Sequence, residues 1–421
     1  LKFKKKVLFI AYNFPPQGGG GVLRSLKFVK YLPSFGWEPV VITCKKPDYG
    51  ICDESLLRQI PEKINIKRTY SLTPFKFFKI LKKTGLSRLR VILDYYLFIP
   101  DKLIGWVPFV YFCAKKIIKS EKIDAIFTTS PPHSSHFAGI LLKKKFPALK
   151  LVTDFRDAWC ENPFRNVARN SIRAKIEEKM ERMVFKHSDR IIFNTSSSMN
   201  LYINKYGELI KSKSEAVHNG YDHDDFTGIK RQAGREKFVI LHTGDIYGIR
   251  SIAPFLKALE ALLSEIKGLE DRIIVKFVGY SIKSDEQKRV AQSPAGKIID
   301  FVSFVPHADC IELMLNSDLL LLITGKDENK VMIPSKFYEY LASGTKILAL
   351  SEKGELTRIL ENCRAGDWAS SEDTVRIKEI LKSQILASHE YHPDKNSISR
   401  FDRKNLTKML AAVLDGCLKN E

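Results

Sequence analysis

Short runs of apolar and β-branched residues alternate along the chain with segments of helical period. Val7–Ala11, Glu38–Thr43, Ala125–Thr129, Leu149–Asp154, Arg190–Asn194 and Glu215–His218 read as strands, several of them closed by turn residues. Val22–Leu32, Ser134–Lys145 and Ser171–His187 carry their apolar residues at helical spacing. The polar stretch Asn219–Lys237 interrupts the pattern, which then restarts. Strands are predicted at Phe238–His242, Ile273–Gly279, Leu319–Ile323 and Lys346–Ala349, and helices at Ile252–Lys267, Ile311–Leu315 and Lys336–Ser343. Strand–helix alternation of this kind predicts parallel sheets with helices on both faces. We read an α/β chain of doubly wound units in series, 1–222 and 223–398, with 399–421 as a closing helix. No internal repeat or low-complexity tract is visible.

Composition narrows the class. The 421 residues suit two domains, and 44% hydrophobic with 28% charged residues is ordinary globular usage, which excludes disorder, collagen and coiled coil. The apolar stretch Leu103–Ala114 is too short to cross a bilayer, and Val7–Ala11 is too short for a signal-peptide core. The seven cysteines form no CxxC pair, so neither a zinc site nor a disulfide framework is expected, and a reducing cytoplasm fits. The net charge of +21 is uneven. Between Lys63 and Lys122 there are 14 Lys/Arg and three Asp/Glu, interleaved with aromatic residues. An anionic membrane surface selects such a segment, and so does an ordinary solvated face above core aromatics. No nucleic-acid-binding signature accompanies the charge, so no nucleic-acid partner is expected.

In open α/β sheets ligands bind beyond the carboxyl ends of the strands, so the loops there are where chemistry is sought. The first is Asn13 to Gly21, whose run Gly18–Gly21 leads into a helix and lets backbone N–H groups, with Gly19 and Gly20 foremost, approach an anion. A flexible turn is the plainer reading. No third glycine follows at Leu23 and no GxxxxGK[ST] is present, so a dinucleotide fingerprint and a P-loop are both excluded. His133, in Ser130–His136, suits hydrogen bonding or proton transfer near a hydroxyl, and His136 is a weaker candidate. Asp154-Phe155-Arg156-Asp157 packs three charges after a strand, either for a ligand or for an internal pair of Arg156 with Asp154 or Asp157. In the second unit Gly244 permits close backbone approach and Arg250 reaches a diphosphate. Pro334-Ser335-Lys336 opens a short helix with Ser335 as expected N-cap and Gly344 as stop. Glu339, one turn in, is placed to accept both hydroxyls of a ribose, unless it merely pairs with Lys336 on the surface.

Taken in order, "FPPQGGGG", "TTSPPHSSH", "DFRDAW", "HNGYD", "HTGDIYGIR" and "IPSKFYEYLASGTKILAL" resemble the family-4 glycosyltransferases, particularly the bacterial surface-polysaccharide enzymes. The resemblance implies the GT-B fold, two Rossmann-like domains facing each other across a cleft. It implies a retaining transfer, without a metal or other cofactor, from a UDP- or GDP-sugar to a lipid-linked or glycan acceptor. By position, Glu339 resembles the family's ribose-binding glutamate, Arg250 its diphosphate-binding cation and Pro334-Ser335-Lys336 its phosphate cradle. The Gly18–Gly21 loop then faces the diphosphate or the acceptor, with His133, Arg156 and Asp157 at the reaction centre. Location on the inner face of the plasma membrane, with segment 63–122 against lipid, is the expectation.

One departure stands out. The family's paired glutamates are spaced E-x7-E, and the residue eight before Glu339 is Val331; Asp327 or Glu328 substitutes only if its loop bends inward. A non-catalytic nucleotide-sugar-binding or membrane-scaffold subunit is the alternative this leaves open, and the 2-epimerases of the same fold have no specific motif here. Asp222-His223-Asp224-Asp225 imitates a metal-binding DxD but reads as a polar hinge.

Overall fold

The computed structural model describes residues 5–45, 52–231, 234–279, 284–386 and 391–419. The basic residues at 1–4 and Lys46, at the end of the second predicted strand, lie outside them. The chain divides into two units, one of Leu1–Asn219 with Arg403–Glu421, the other of Gly220–Asp402.

The first unit holds a seven-stranded sheet: β1 (Lys5–Ile10), β2 (Trp37–Cys44), β3 (Asn65–Thr69), β4 (Ala125–Ser130), β5 (Lys150–Phe155), β6 (Arg190–Phe193) and β7 (Ser214–Ala216). Their order is β3-β2-β1-β4-β5-β6-β7, and every pairing is parallel. The second unit holds six parallel strands: β8 (Phe238–Thr243), β9 (Ile273–Val278), β10 (Ile299–Val302), β11 (Leu319–Ile323), β12 (Lys346–Leu350) and β13 (Gly366–Ala369), in the order β10-β9-β8-β11-β12-β13. Both orders reverse beside the first strand of their unit, between β1 and β4 and between β8 and β11. Each reversal opens a crevice at the carboxyl ends of those strands, where doubly wound sheets bind ligands.

A parallel sheet covered on both faces demands strands apolar throughout. Val7, Leu8, Phe9 and Ile10 of β1 are all fully buried, as are Leu320, Leu321 and Leu322 of β11. The period-two alternation splits the second unit into two cores. Ile240, Val275, Phe277, Leu321 and Leu348 pack with Phe255 and Leu259 on one face; Leu241, Leu320, Leu322 and Ile347 pack with Phe337 and Tyr340 on the other. In the first unit, Phe9, Val41, Phe127 and Val152 meet Leu406, Leu410 and Leu414 of the terminal helix Arg403–Lys419. That helix closes the core of the first unit.

Segment 63–122 is built of β3 and three helices: α2 (Phe75–Lys83), α3 (Ser87–Leu97) and Val107–Ser120, numbered after α1 (Gly20–Tyr31). Phe78 and Trp106 are core residues, but Phe77, Ile80, Ile92, Tyr96 and Leu97 are exposed, and α3 buries no residue at all. Among the described residues no helix is long and apolar enough to cross a membrane.

One buried ion pair ties the first unit together. Arg24 of α1 donates through Nε and Nη2 to Asp154 at 3.0 and 2.7 Å, and both side chains are almost completely buried. Its remaining N–H groups reach the carbonyls of Val217 and His218 at 2.9 and 2.7 Å, and Thr129 Oγ1 donates to Asp154 at 2.7 Å. Removing one partner strands a buried charge, so Arg24→Ala is expected to cost about 3–5 kcal/mol. Urea denaturation measures this, and a loss below about 1 kcal/mol would show that water replaces the guanidinium without difficulty.

Candidate active site

In the second unit the site is assembled from the ends of β8 and β11 and the helix Lys336–Ser343. Tyr340 on that helix accepts the backbone N–H of Thr243 at 2.8 Å and so fixes the turn after β8 against it. Gly244 follows with φ +84°, and a Cβ placed there would lie 2.9 Å from Lys336 Nζ, so the glycine makes room for the amine. Lys336 Nζ donates to His242 Nε2 at 3.2 Å. The tautomer of His242 follows from its other contact: Nδ1 lies 2.9 Å from the Leu321 carbonyl, which can only accept, so Nδ1 carries the hydrogen and Nε2 the lone pair. Burial, then the charges of Lys336 and Arg250, hold the His242 imidazole well below its ordinary range, in the neutral form. Burial and the neighbouring Arg250 bring the Lys336 amine down to about 7.

Arg250 is clamped edge-on by Glu328. Nε donates at 3.0 Å to one carboxylate oxygen, Nη2 donates to the other, and Glu328 is fully buried and also accepts Gly325 N–H at 2.9 Å. Asp327 faces solvent and pairs with Lys330, so Glu328 is the acid that its loop turns inward; Val331 is buried. Glu339 does not pair with Lys336. It accepts His307 Nε2 at 2.8 Å and is itself buried. Ser335, expected as N-cap, has helical φ and ψ and makes no capping hydrogen bond, because Pro334 and Ser335 already form a helical turn with Phe337 N–H and Tyr338 N–H on their carbonyls. Gly344 closes the helix in the left-handed region as expected.

The first unit brings a second group together. Gly19 caps α1 with φ +92°, and Gly19 and Gly20 are exposed at its start. Arg156 donates to the Gly21 carbonyl, and a Cβ at Gly21 would meet its guanidinium at 2.7 Å. Of the two internal pairs envisaged for Arg156, the one with Asp157 forms, loosely, at 3.6 Å; Asp154 is taken by Arg24 instead. His133 stacks on Trp159 at 4.8 Å with rings nearly parallel, and its Nδ1 is buried with no partner. Burial, with His136 and Arg156 adding to it, keeps His133 neutral. His136 is a core residue, stacked on Phe155 and 2.8 Å from Thr128 Oγ1. Asp222 caps the turn His223–Phe226, and among the described residues no cluster of His, Cys, Asp and Glu is arranged to hold a metal ion.

The sequence profile of Glycosyltransferase Family 4 matches residues 18–225. Over this span the chain is GT4-like. Its fold matches GT-B structures over nearly the whole length: Anabaena HepE in complex with UDP (15% identity, 98% of this chain and 100% of that one, TM-score 0.63), a Burkholderia xenovorans trehalose-phosphate synthase (9%, 98% and 100%, 0.66), and the lipopolysaccharide outer core galactosyltransferase WaaB (14%, 98% and 99%, 0.59). No curated protein matches the sequence significantly.

For this glycosyltransferase, reading the sequence missed His242, His307 and the service of Glu328 to Arg250. His242 sits inside a strand run, where a polar residue between apolar neighbours was the available signal.

The Lys336 amine titrates near 7 in the folded chain and at its ordinary 10.5 in the unfolded one. Unfolding therefore takes up a proton between those pH values, and stability rises with pH through that window. Lys336→Met is expected to remove this slope. Urea midpoints at pH 7 and pH 9 check it; an unchanged slope would place the amine in water.

Proposed function

We propose that this glycosyltransferase transfers a sugar, with retention, from a UDP- or GDP-sugar to a lipid-linked or polysaccharide acceptor at the inner face of the plasma membrane. The observation that carries the donor half is the cation pair Lys336 and Arg250 beside the N-terminus of a helix, with Glu339 on the same helix. The diphosphate lies against Lys336, Arg250 and the Pro334–Lys336 turn, and Gly244 lets its oxygens approach the backbone. Glu339 accepts the ribose hydroxyls, and no metal is needed to balance the charge. HepE, which binds UDP and UDP-glucose, shares the fold and supports this assignment.

As the bond between the sugar's anomeric carbon and the diphosphate breaks, charge develops on the leaving oxygen, and fixed cations in a dry site stabilise it. The acceptor hydroxyl forms its bond on the same face and gives its proton to a diphosphate oxygen. In the first unit, Gly19 and Gly20 offer N–H groups, while His133, Arg156 and Asp157 orient the acceptor. His133, held neutral, donates or accepts one hydrogen bond without adding charge.

The membrane half rests on α2 and α3. Phe75–Leu97 carries six Lys/Arg against Asp94 alone, and the helices leave apolar side chains uncovered. Basic residues beside exposed apolar ones suit an anionic lipid surface.

Glu339→Ala is expected to weaken UDP binding at least tenfold by calorimetry; unchanged affinity for UDP and for GDP alike would remove the ribose role. Replacing Lys79, Lys82, Lys83 and Arg88 together by serine is expected to release the protein from phosphatidylglycerol vesicles, at about 1 kcal/mol per charge, while nucleotide affinity holds. Co-sedimentation decides, and undiminished attachment would favour the solvated-face reading of this segment.

A further inference from the structure

The first unit contains an open cavity of about 530 Å³ between the α2–α3 region and the loops after β4 and β5. Phe75, Val91, Tyr95 and Phe98 of the α2–α3 region form one wall; His133 and Trp159 lie at the other end. The latter two follow β4 and β5, so that end of the cavity opens where a doubly wound sheet presents its ligand. The volume is that of a small-molecule site.

The charges around the cavity are already matched. Arg173 donates to Glu177 at 2.6 Å and to the carbonyls of Asp94 and Tyr95 at 3.0 and 2.6 Å, which also closes the end of α3. Arg165 pairs with Glu177 at 2.8 Å and Lys102 with Asp94 at 2.8 Å. Asp101 accepts the N–H and hydroxyl of Ser134 at 2.9 and 2.8 Å. A cavity so balanced selects neither an anion nor a cation. What it offers is an apolar wall, continuous with the uncovered surface of α3, and at its other end the neutral imidazole of His133, stacked on Trp159.

We infer that this cavity binds the acceptor as an uncharged amphiphile: an alkyl or isoprenoid chain against Val91, Tyr95 and Phe98, and a sugar hydroxyl toward His133. The inference rests on the transferase reading and names the class of its acceptor. An apolar tail gains from the wall in proportion to its length, and a sugar ring packs at the end where His133 and Trp159 line the cavity. The same chain lies directly beneath helices facing lipid, so a membrane-borne acceptor reaches His133 without leaving the bilayer surface by more than its head.

Hexyl, octyl and decyl glucosides, titrated below their critical micelle concentrations into the full chain without nucleotide, test this. Affinity is expected to rise about tenfold for each added pair of methylenes, following the transfer free energy of CH2, with free glucose undetectable. Val91→Asp, at an exposed position whose side chain carries no fold, is expected to flatten the series. His133→Ala should weaken every glucoside by a similar factor while keeping the slope. Ile80→Asp lies on α2 away from the cavity and should leave the slope intact. A flat series in the wild type, or a slope lost equally in Ile80→Asp, would overturn the proposal, the second result placing the chain on the outer surface of the helices. UDP binding is measured on the same samples. Loss of chain-length dependence with UDP bound sinks the cavity alone, whereas glucoside binding without any nucleotide binding leaves the cavity and sinks the donor reading.

Discussion

Two cations held close together out of water set the character of the second unit. Burial and the neighbouring Arg250 depress the Lys336 amine, whereas Arg250 is held firmly charged by the fully buried acid beside it, Glu328. A folded chain keeps such an arrangement only if the surrounding elements over-determine it. Here they do: Tyr340 pins the turn after β8, His242 receives the amine in one tautomer, and Gly325 N–H holds the carboxylate. The cost of burying positive charge is offset by nearby negative charge, which Glu328 supplies to Arg250 and leaves Lys336 largely without. The helix N-terminus at Pro334–Lys336 acts in the same direction, since its first N–H groups point toward negative charge.

The architecture was largely legible, and its blind spots have one cause. Central strands are buried on both faces and announce themselves as apolar runs, which is why β1, β2, β4, β8, β11 and β12 stand where the pattern predicts. The missed strands β3, β10 and β13 all lie at sheet edges. Asn65–Thr69 has no fully buried residue, and Gly366–Ala369 buries only its last, so neither carries the run of apolar side chains that marks an interior strand. The terminal helix was visible as a period but its destination was not. Leu406, Leu410 and Leu414 complete the first unit's core from the far end of the sequence, a long-range choice that no local window contains.

Site residues divide along a similar line. Those whose chemistry depends on local conformation could be read directly: Gly244 for a positive φ, Gly344 for the helix stop, Lys336 and Glu339 for their place on one helix. Those that depend on a distant partner could not. Arg24 meets Asp154 across 130 positions, and Arg250 meets Glu328 across 78. The expected local pairs, Arg156 with Asp154 and Lys336 with Glu339, lose to partners brought in by the fold. Asp154 and Glu339 are both buried, so each carboxylate goes to the partner the fold packs against it, where charge-assisted hydrogen bonds are strongest.

The absent acid of the E-x7-E pair takes on a different meaning once Glu328 is seen. It stands eleven residues before Glu339 rather than eight, and Val331, at the expected place, is packed into the protein. A carboxylate has about four acceptor positions. Glu328 fills three of them, two with Arg250 and one with Gly325 N–H. One at most remains for a sugar hydroxyl, and that group is completely buried. Glu328 is therefore a counter-ion that orients the guanidinium. The loop that the resemblance would have aimed at a ligand thus serves the fold of the site itself, by fixing the direction of one guanidinium.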